Sequence, residues 1–160
     1  MKTKIILCSA VLAVLSGCAS VPMVDSELSD QAERSDQAKQ FEAPTEGKAG
    51  VYVYRPESGI GGALKKDVHI DGECIGETAP GVFFYHEVDG DKEHIVRTES
   101  EFSPNEVTLF TEQGRLYFVQ QYIKMGAFVG GADLVVVDES TGKSDVYKTK
   151  MAIKGNCSAK

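Results

Sequence analysis

The sequence predicts a mainly β fold: a small β-sandwich or barrel-like domain of about eight short antiparallel strands, preceded by a polar tether with a helix in it. Three observations predict it. Short runs rich in β-branched and aromatic residues recur along the chain. Turn pairs such as Asp71-Gly72 separate them at hairpin spacing. Helical periodicity is scarce beyond the tether.

The elements follow in order. Residues 19–48 hold seven acids, three bases, Pro22 and Pro44, and few large apolar side chains, the composition of a solvated linker. Leu28, Ala32, Ala38 and Phe41 share one thin stripe, which predicts a helix over about 26–42. It would be marginal alone, with Phe41 docking it onto the domain. The tetrad Ser-Asp-Gln-Ala recurs at 29–32 and 35–38, too briefly for a repeat architecture. From Gly50 the character changes.

Val51-Tyr52-Val53-Tyr54 is a strand by composition, ended by Arg55-Pro56. Residues 57–66, with Gly59, Gly61 and Gly62, read as a loop. Val68–Ile70 and Glu73–Glu77 flank Asp71-Gly72, a pair that tolerates positive φ at both positions. Val82–Val88 and His94–Thr98 flank Asp89-Gly90-Asp91, and Glu106–Thr111 and Leu116–Ile123 flank Gln113-Gly114, giving two more hairpins. Leu134–Val137 reads as a buried strand, followed by a turn at Ser140-Thr141-Gly142. Over 145–153 the alternation of Tyr147, Thr149, Met151 and Ile153 with lysines favours a final strand, with a short helix as the alternative. Val82 and Phe84 alternate with Phe83 and Tyr85, so both sheet faces must be covered, by a second sheet or by the N-terminal helix.

The N-terminus carries the clearest functional signal. Lys2 and Lys4 precede an apolar run from Ile5 to Leu15, then Leu15-Ser16-Gly17-Cys18. A basic start, a short apolar stretch and small residues at the cut describe a secretory leader. The run is too short to span a bilayer. The tetrad resembles the lipobox of bacterial lipoproteins. That resemblance implies cleavage between Gly17 and Cys18, diacylglyceryl transfer to the Cys18 thiol and N-acylation, often with palmitate. Two or three acyl chains hold a membrane where one would not. Ala19 follows the cysteine where an aspartate would suggest inner-membrane retention. The expectation is therefore an outer-membrane lipoprotein facing the periplasm.

The expected organisation is a leader over 1–17, a lipidated N-terminus and tether over 18–48, a β-rich domain over 49–154 and a tail over 155–160. Loss of the leader leaves 15 basic against 24 acidic side chains, a net charge of −9. Such a chain does not attract nucleic acid, and the acyl chains must do the membrane binding. Cys74 and Cys157 remain in an oxidising compartment, where a pair tends to bridge. A loop of about 80 residues would contribute up to roughly 4 kcal/mol. The alternative is two free thiols, one in a strand and one in a frayed tail.

The strand and turn residues carry a second resemblance. Val51-Tyr52-Val53-Tyr54-Arg55, Val68-His69-Ile70-Asp71-Gly72 with Ile75-Gly76, Gly81-Val82-Phe83-Phe84, Asp89-Gly90 with His94, and Gly114-Arg115-Leu116-Tyr117-Phe118-Val119 resemble the bacterial lipoproteins classed as domain of unknown function 2846, over about residues 41–150. The first hairpin also resembles the Pro-Glu-Gly-Ala type of extracellular β-domain, although Asp89-Gly90-Asp91 stands where that pattern has Pro-Gly. These resemblances imply a lipid-anchored envelope β-domain with no assigned activity.

Catalytic and metal chemistry find little support. His69, Cys74, His86 and His94 match no closed zinc spacing, and Cys74 has a competing use in a bridge. They read as strand histidines, with His94 as a cap, and no metal or other cofactor is expected. There is no nucleophile elbow. Glu99, Glu101 and Glu106 beside Pro104 read as solvated charge. Gly59-x-Gly61-Gly62 with Lys65-Lys66 lacks the Gly-Lys-Ser/Thr ending of a phosphate loop. Arg55 is a candidate contact residue for a carboxylate. Phe128 and Val129, in the uncharged stretch 125–132, either dock a partner or cap the core. The reading is a non-catalytic envelope module that contacts protein or peptidoglycan. The alternative is a small-ligand or cell-wall-fragment binder, with the 57–66 and 124–132 loops as lips of a cleft oriented by Arg55. A hydrolase of envelope polymers is the third possibility.

Overall fold

The computed structural model describes residues 21–23, 29–58, 60–101, 104–127 and 130–158. The leader, Gly17, Cys18, Phe128 and Val129 lie outside them. The described elements are α1 (Ser29–Ala38), β1 (Lys48–Arg55), β2 (Lys66–Ile70), β3 (Glu73–Thr78), β4 (Val82–Asp89), β5 (Lys92–Thr98), β6 (Asn105–Thr111), β7 (Leu116–Lys124), β8 (Gly131–Val137), α2 (Glu139–Tyr147) and β9 (Lys150–Met151).

Two sheets face each other, one ordered β8-β7-β1-β4-β9 and the other β3-β2-β5-β6. The strand β1 lies at the centre because it is apolar on both sides. Val51 and Val53 point between the sheets with Val82, Phe84, Val119 and, opposite, Val68, Ile70, Ile75 and Val96. Tyr52 and Tyr54 point the other way, into a second cluster with Ala38, Phe83, Phe118 and Val146. Both covers foreseen for a two-sided sheet are therefore present: a second sheet inside, and helices outside. The pairing is not wholly antiparallel, since β1 runs parallel to β7 and β4 parallel to β9.

The Asp71-Gly72 hairpin follows its local chemistry, with φ of 52° and 84°. A buried polar bridge crosses the sandwich. Gln121 Nε2 donates to Thr98 Oγ1 at 2.7 Å, the Gln121 amide oxygen meets the Thr78 hydroxyl, and Thr98 Oγ1 donates to the Asp67 carbonyl at 2.9 Å. Satisfied in this way, a fully buried glutamine ties three strands of opposite sheets together.

Several expectations are corrected. The turns at Asp89-Gly90-Asp91 and Gln113-Gly114 do not close hairpins: β4 pairs with β1 and β9, β5 with β2 and β6, and β7 with β1 and β8, so each turn carries the chain from one sheet to the other. A turn signature is local and does not say whether its flanking strands pair. The strand favoured over 145–153 is α2 through Tyr147, with only Lys150–Met151 in β9, and the turn foreseen at 140–142 lies inside α2. The cause is a cap read as a turn: Asp138 accepts from the Thr141 N–H at 3.0 Å, and Lys143 pairs with Glu139 one turn apart at 2.6 Å. Leu134–Val137 belongs to a longer edge strand, in which Val135 and Val136 are about 40% exposed rather than buried.

Gly142 lets α2 lie directly on β7, because a Cβ there would collide with Cβ and Cγ of Phe118. Replacing Gly142 with valine is expected to lift the helix off the sheet and cost about 1–3 kcal/mol. Urea unfolding with an unchanged midpoint would show that α2 tolerates the bulk.

Candidate functional site

A groove of about 550 Å³ opens between α1 and the outer face of the five-stranded sheet. Its size falls in the range of small-ligand sites, roughly 300–1,000 Å³. Three contacts hold α1 over the sheet. Tyr52 Oη donates to the Ala38 carbonyl at 2.6 Å. Lys39 Nζ donates to the Thr149 carbonyl at 2.6 Å and the Tyr147 carbonyl at 3.3 Å, lying 5.7 Å from the Phe83 ring centre. Phe41, at φ 54°, turns the chain out of the helix and places its ring 5.4 Å from that of Tyr52. The docking role expected of Phe41 is thus what the structure shows.

The groove is lined by both signs of charge: Arg34 on α1 and Lys154 beyond β9, with Glu42 and Glu87. The phenols of Tyr52 and Tyr85 are polar atoms on its floor. Burial pushes both of them up from the ordinary tyrosine range, so they remain hydroxyl donors at neutral pH. Tyr85 Oη donates to Glu87 Oε1 at 2.9 Å, and the Thr45 N–H donates to the same oxygen at 3.1 Å. Partial burial works against the ionised Glu87, but the Thr45 and Tyr85 hydrogen bonds outweigh it and hold the carboxyl below its usual range. Burial lowers the Lys154 ammonium, whose Nζ donates to His86 Nδ1 at 3.3 Å. Burial, followed by Lys154, also lowers His86 and keeps it a neutral acceptor at pH 7. Phenol, carboxylate and ammonium in one concavity suit a small zwitterion.

The predicted contact residues fare differently. Arg55 is only 2% exposed and donates to the carbonyls of Leu64 and Gly61 at 2.7 and 2.6 Å. That corrects its reading as a ligand contact: it staples the 57–66 loop. The lips expected of the 57–66 and 124–132 loops do lie at one end of the domain. Gly130 approaches Leu64 of the first loop, and Gly61 lies against Ile123 at the end of β7. A smaller hollow of about 300 Å³ remains beside Lys124 and Met125. Cys74 and Cys157 form a bridge with Cα atoms 6.1 Å apart.

His94 is buried with both ring nitrogens turned to oxygens: Asp71 Oδ2 at 2.6 Å and the Asp89 carbonyl at 2.9 Å. This is the structural cap foreseen for it. Burial opposes ionisation of Asp71, but the Ile95 N–H and His94 outweigh it, and its carboxyl lies below the usual range. A folded value below the unfolded one makes this contribution fully present above about pH 4 and lost as pH falls through the folded value. The urea midpoint is therefore expected to fall between pH 5 and pH 3, less steeply in Asp71→Asn. An identical acid slope in the variant would remove Asp71 from the account.

Sequence reasoning missed the groove residues Arg34, Tyr85, Glu87 and Lys154. The one available signal was the outward-facing tyrosine of β1, which needs a partner for its hydroxyl. The family model described as protein of unknown function (DUF2846) matches residues 45–132. An uncharacterized protein of Haemophilus influenzae (strain ATCC 51907 / DSM 11121 / KW20 / Rd) is 48% identical over 143 residues, spanning 89% of this chain and 80% of that protein. The family match includes the groove floor from Tyr52 to Glu87, whereas α1 and residues 151–154 lie outside it.

Proposed function

The chain belongs to the family described as protein of unknown function (DUF2846), and on that premise we propose that it is a lipid-anchored, non-catalytic binding module of the bacterial envelope. Support for the anchor is the Leu15-Ser16-Gly17-Cys18 tetrad behind a short apolar run. Cys18 carries the acyl chains that hold the module at the outer membrane, facing the periplasm. The observation that carries the binding reading is the groove under α1, concave and lined with charges of both signs and two phenols. Its mixed charge favours a small ligand with both an amine and a carboxylate, as in a peptide fragment of the cell wall.

Two measurements test this. Cys18→Ala is expected to move the protein from the membrane to the soluble fraction, and continued membrane retention would remove the anchor. A muropeptide digest added to the isotope-labelled Cys18→Ala chain is expected to shift amide signals at residues 34–43, 85–87 and 151–154. Lys154→Glu should weaken that response several-fold. Shifts absent from the groove, or confined to residues 124–131, would overturn the ligand reading.

A second reading has its own observation. Ile95 and Phe110 are 40% and 56% exposed on adjacent strands β5 and β6, beside the Arg97–Glu106 ion pair. That outer face favours a protein partner. Crosslinking from a photoreactive side chain at position 110 is expected to capture an envelope protein, and a blank result there would leave the groove as the contact surface.

A further inference from the structure

The bridge between Cys74 and Cys157 has an imidazole beside it. A register shift in the β2–β3 hairpin sets His69 opposite Cys74. One ligand atom from each of His69, Cys74 and Cys157 lies within 4.8 Å of the other two. Each of the three residues is partly exposed, so an ion has a way in. We propose that the dithiol form of this protein binds one thiophilic metal ion through His69, Cys74 and Cys157.

The chemistry follows from distances. Zinc takes thiolate sulfur at about 2.3 Å and imidazole nitrogen at about 2.0–2.1 Å, so neighbouring tetrahedral ligands stand roughly 3.5–3.8 Å apart. Opening the bridge moves the sulfurs outward into that range. Two thiolates and an imidazole select a soft or borderline ion such as Zn²⁺, with a fourth position open to water.

Cys157 does not depend on the bridge alone for its place. On one side, the Glu77 N–H donates to the Asn156 carbonyl at 2.8 Å and the Gly155 N–H to the Ile75 carbonyl at 2.9 Å. On the other, the Ser158 N–H donates to the Asp67 carboxylate at 3.0 Å, and the Ser158 hydroxyl to Glu77 Oε1 at 2.9 Å. The tail is therefore laid along β3 and β2 by contacts that survive reduction, and its sulfur stays near His69. Such preorganisation separates this trio from any two cysteines that have lost their bond.

The step balances. A dithiol or phosphine reductant supplies two electrons to the sulfur–sulfur bond, is itself oxidised, and two protons complete the thiols. The incoming ion displaces both thiol protons, and the His69 ring contributes a nitrogen lone pair. The ion then holds the tail to β2 and β3 as the covalent bridge did.

The test uses the full chain with Cys8→Ser and Cys18→Ser, so that only Cys74 and Cys157 supply thiols. After phosphine reduction without oxygen, Co²⁺ titration is expected to give a thiolate-to-cobalt absorption band that saturates at one equivalent. Zn²⁺ should displace it. His69→Ala should weaken binding at least tenfold while leaving the oxidised protein's unfolding midpoint unchanged. Should the reduced chain lose its native circular dichroism, Zn²⁺ is expected to restore it. A missing band, failure of Zn²⁺ to restore a lost fold, or an unaltered affinity in His69→Ala would each overturn the site.

Discussion

Opening the Cys74–Cys157 bridge is expected to lower the stability of the domain by up to about 4.5 kcal/mol, for a sequence separation of 83 residues. The figure comes from the freedom that the unfolded chain regains when a loop of that length is released. The full value applies if the folded tail stays docked, which the hydrogen bonds of Asn156 and Ser158 favour, and residual structure in the unfolded chain reduces it. The joint variant Cys74→Ser with Cys157→Ser should unfold at a clearly lower urea concentration than the oxidised parent. It should match the reduced parent in metal-free buffer. Zn²⁺ should then raise the midpoint of the reduced parent and leave the serine variant where it was. Equal midpoints with and without the bridge would mean that the unfolded chain gains nothing from its release.

Tyr52→Ala is expected to cost about 3–5 kcal/mol, the range for removing a buried aromatic ring. The residue is 1% exposed and joins four other rings. The nearest are Tyr85 at 4.7 Å and Phe118 at 4.9 Å, with Phe41 at 5.4 Å and Phe83 at 6.2 Å. Its loss leaves a cavity in the layer between sheet and helices, and frees the Ala38 carbonyl at the end of α1. Tyr52→Phe separates the two effects: it keeps the ring and removes one hydrogen bond, worth about 1 kcal/mol. Amide exchange in α1 should accelerate in both variants, and muropeptide binding should fall in both because α1 forms one wall of the groove. A Tyr52→Ala protein with parental stability and parental exchange in α1 would show that the ring cluster does not hold the helix.

Much of this fold was legible in the residues themselves. The Asp71-Gly72 hairpin is decided by the φ preferences of two neighbours. The two-sided apolar character of β1 and β4 demanded cover on both faces, and Phe41 was the sole large ring in a polar tether. These are matters of conformational preference and partition between water and interior, and both act on short stretches. The misreading of 139–147 shows where such reasoning weakens. Ser140-Thr141-Gly142 has turn composition, yet Asp138 caps a helix there and Gly142 is kept small by Phe118 of β7. The side chain of Phe118 comes from a strand more than twenty residues earlier, outside any local window.

By itself, then, the sequence determined the β class, the tether helix, the Asp71-Gly72 hairpin and the Cys74–Cys157 pairing as one of two outcomes, whereas the turns at 89–91 and 113–114 were legible only as turns and their strands lie in different sheets. Only the tertiary structure decided that β7 lies parallel to β1, that Arg55 is enclosed by its own loop, and that Arg34, Tyr85, Glu87 and Lys154 share a groove. It also brought His69 to both sulfurs. Local choices are set by dihedral energies and hydrophobic periodicity over a few residues. Juxtapositions across the chain emerge only when loop closure and burial are satisfied together, and that balance belongs to the whole fold.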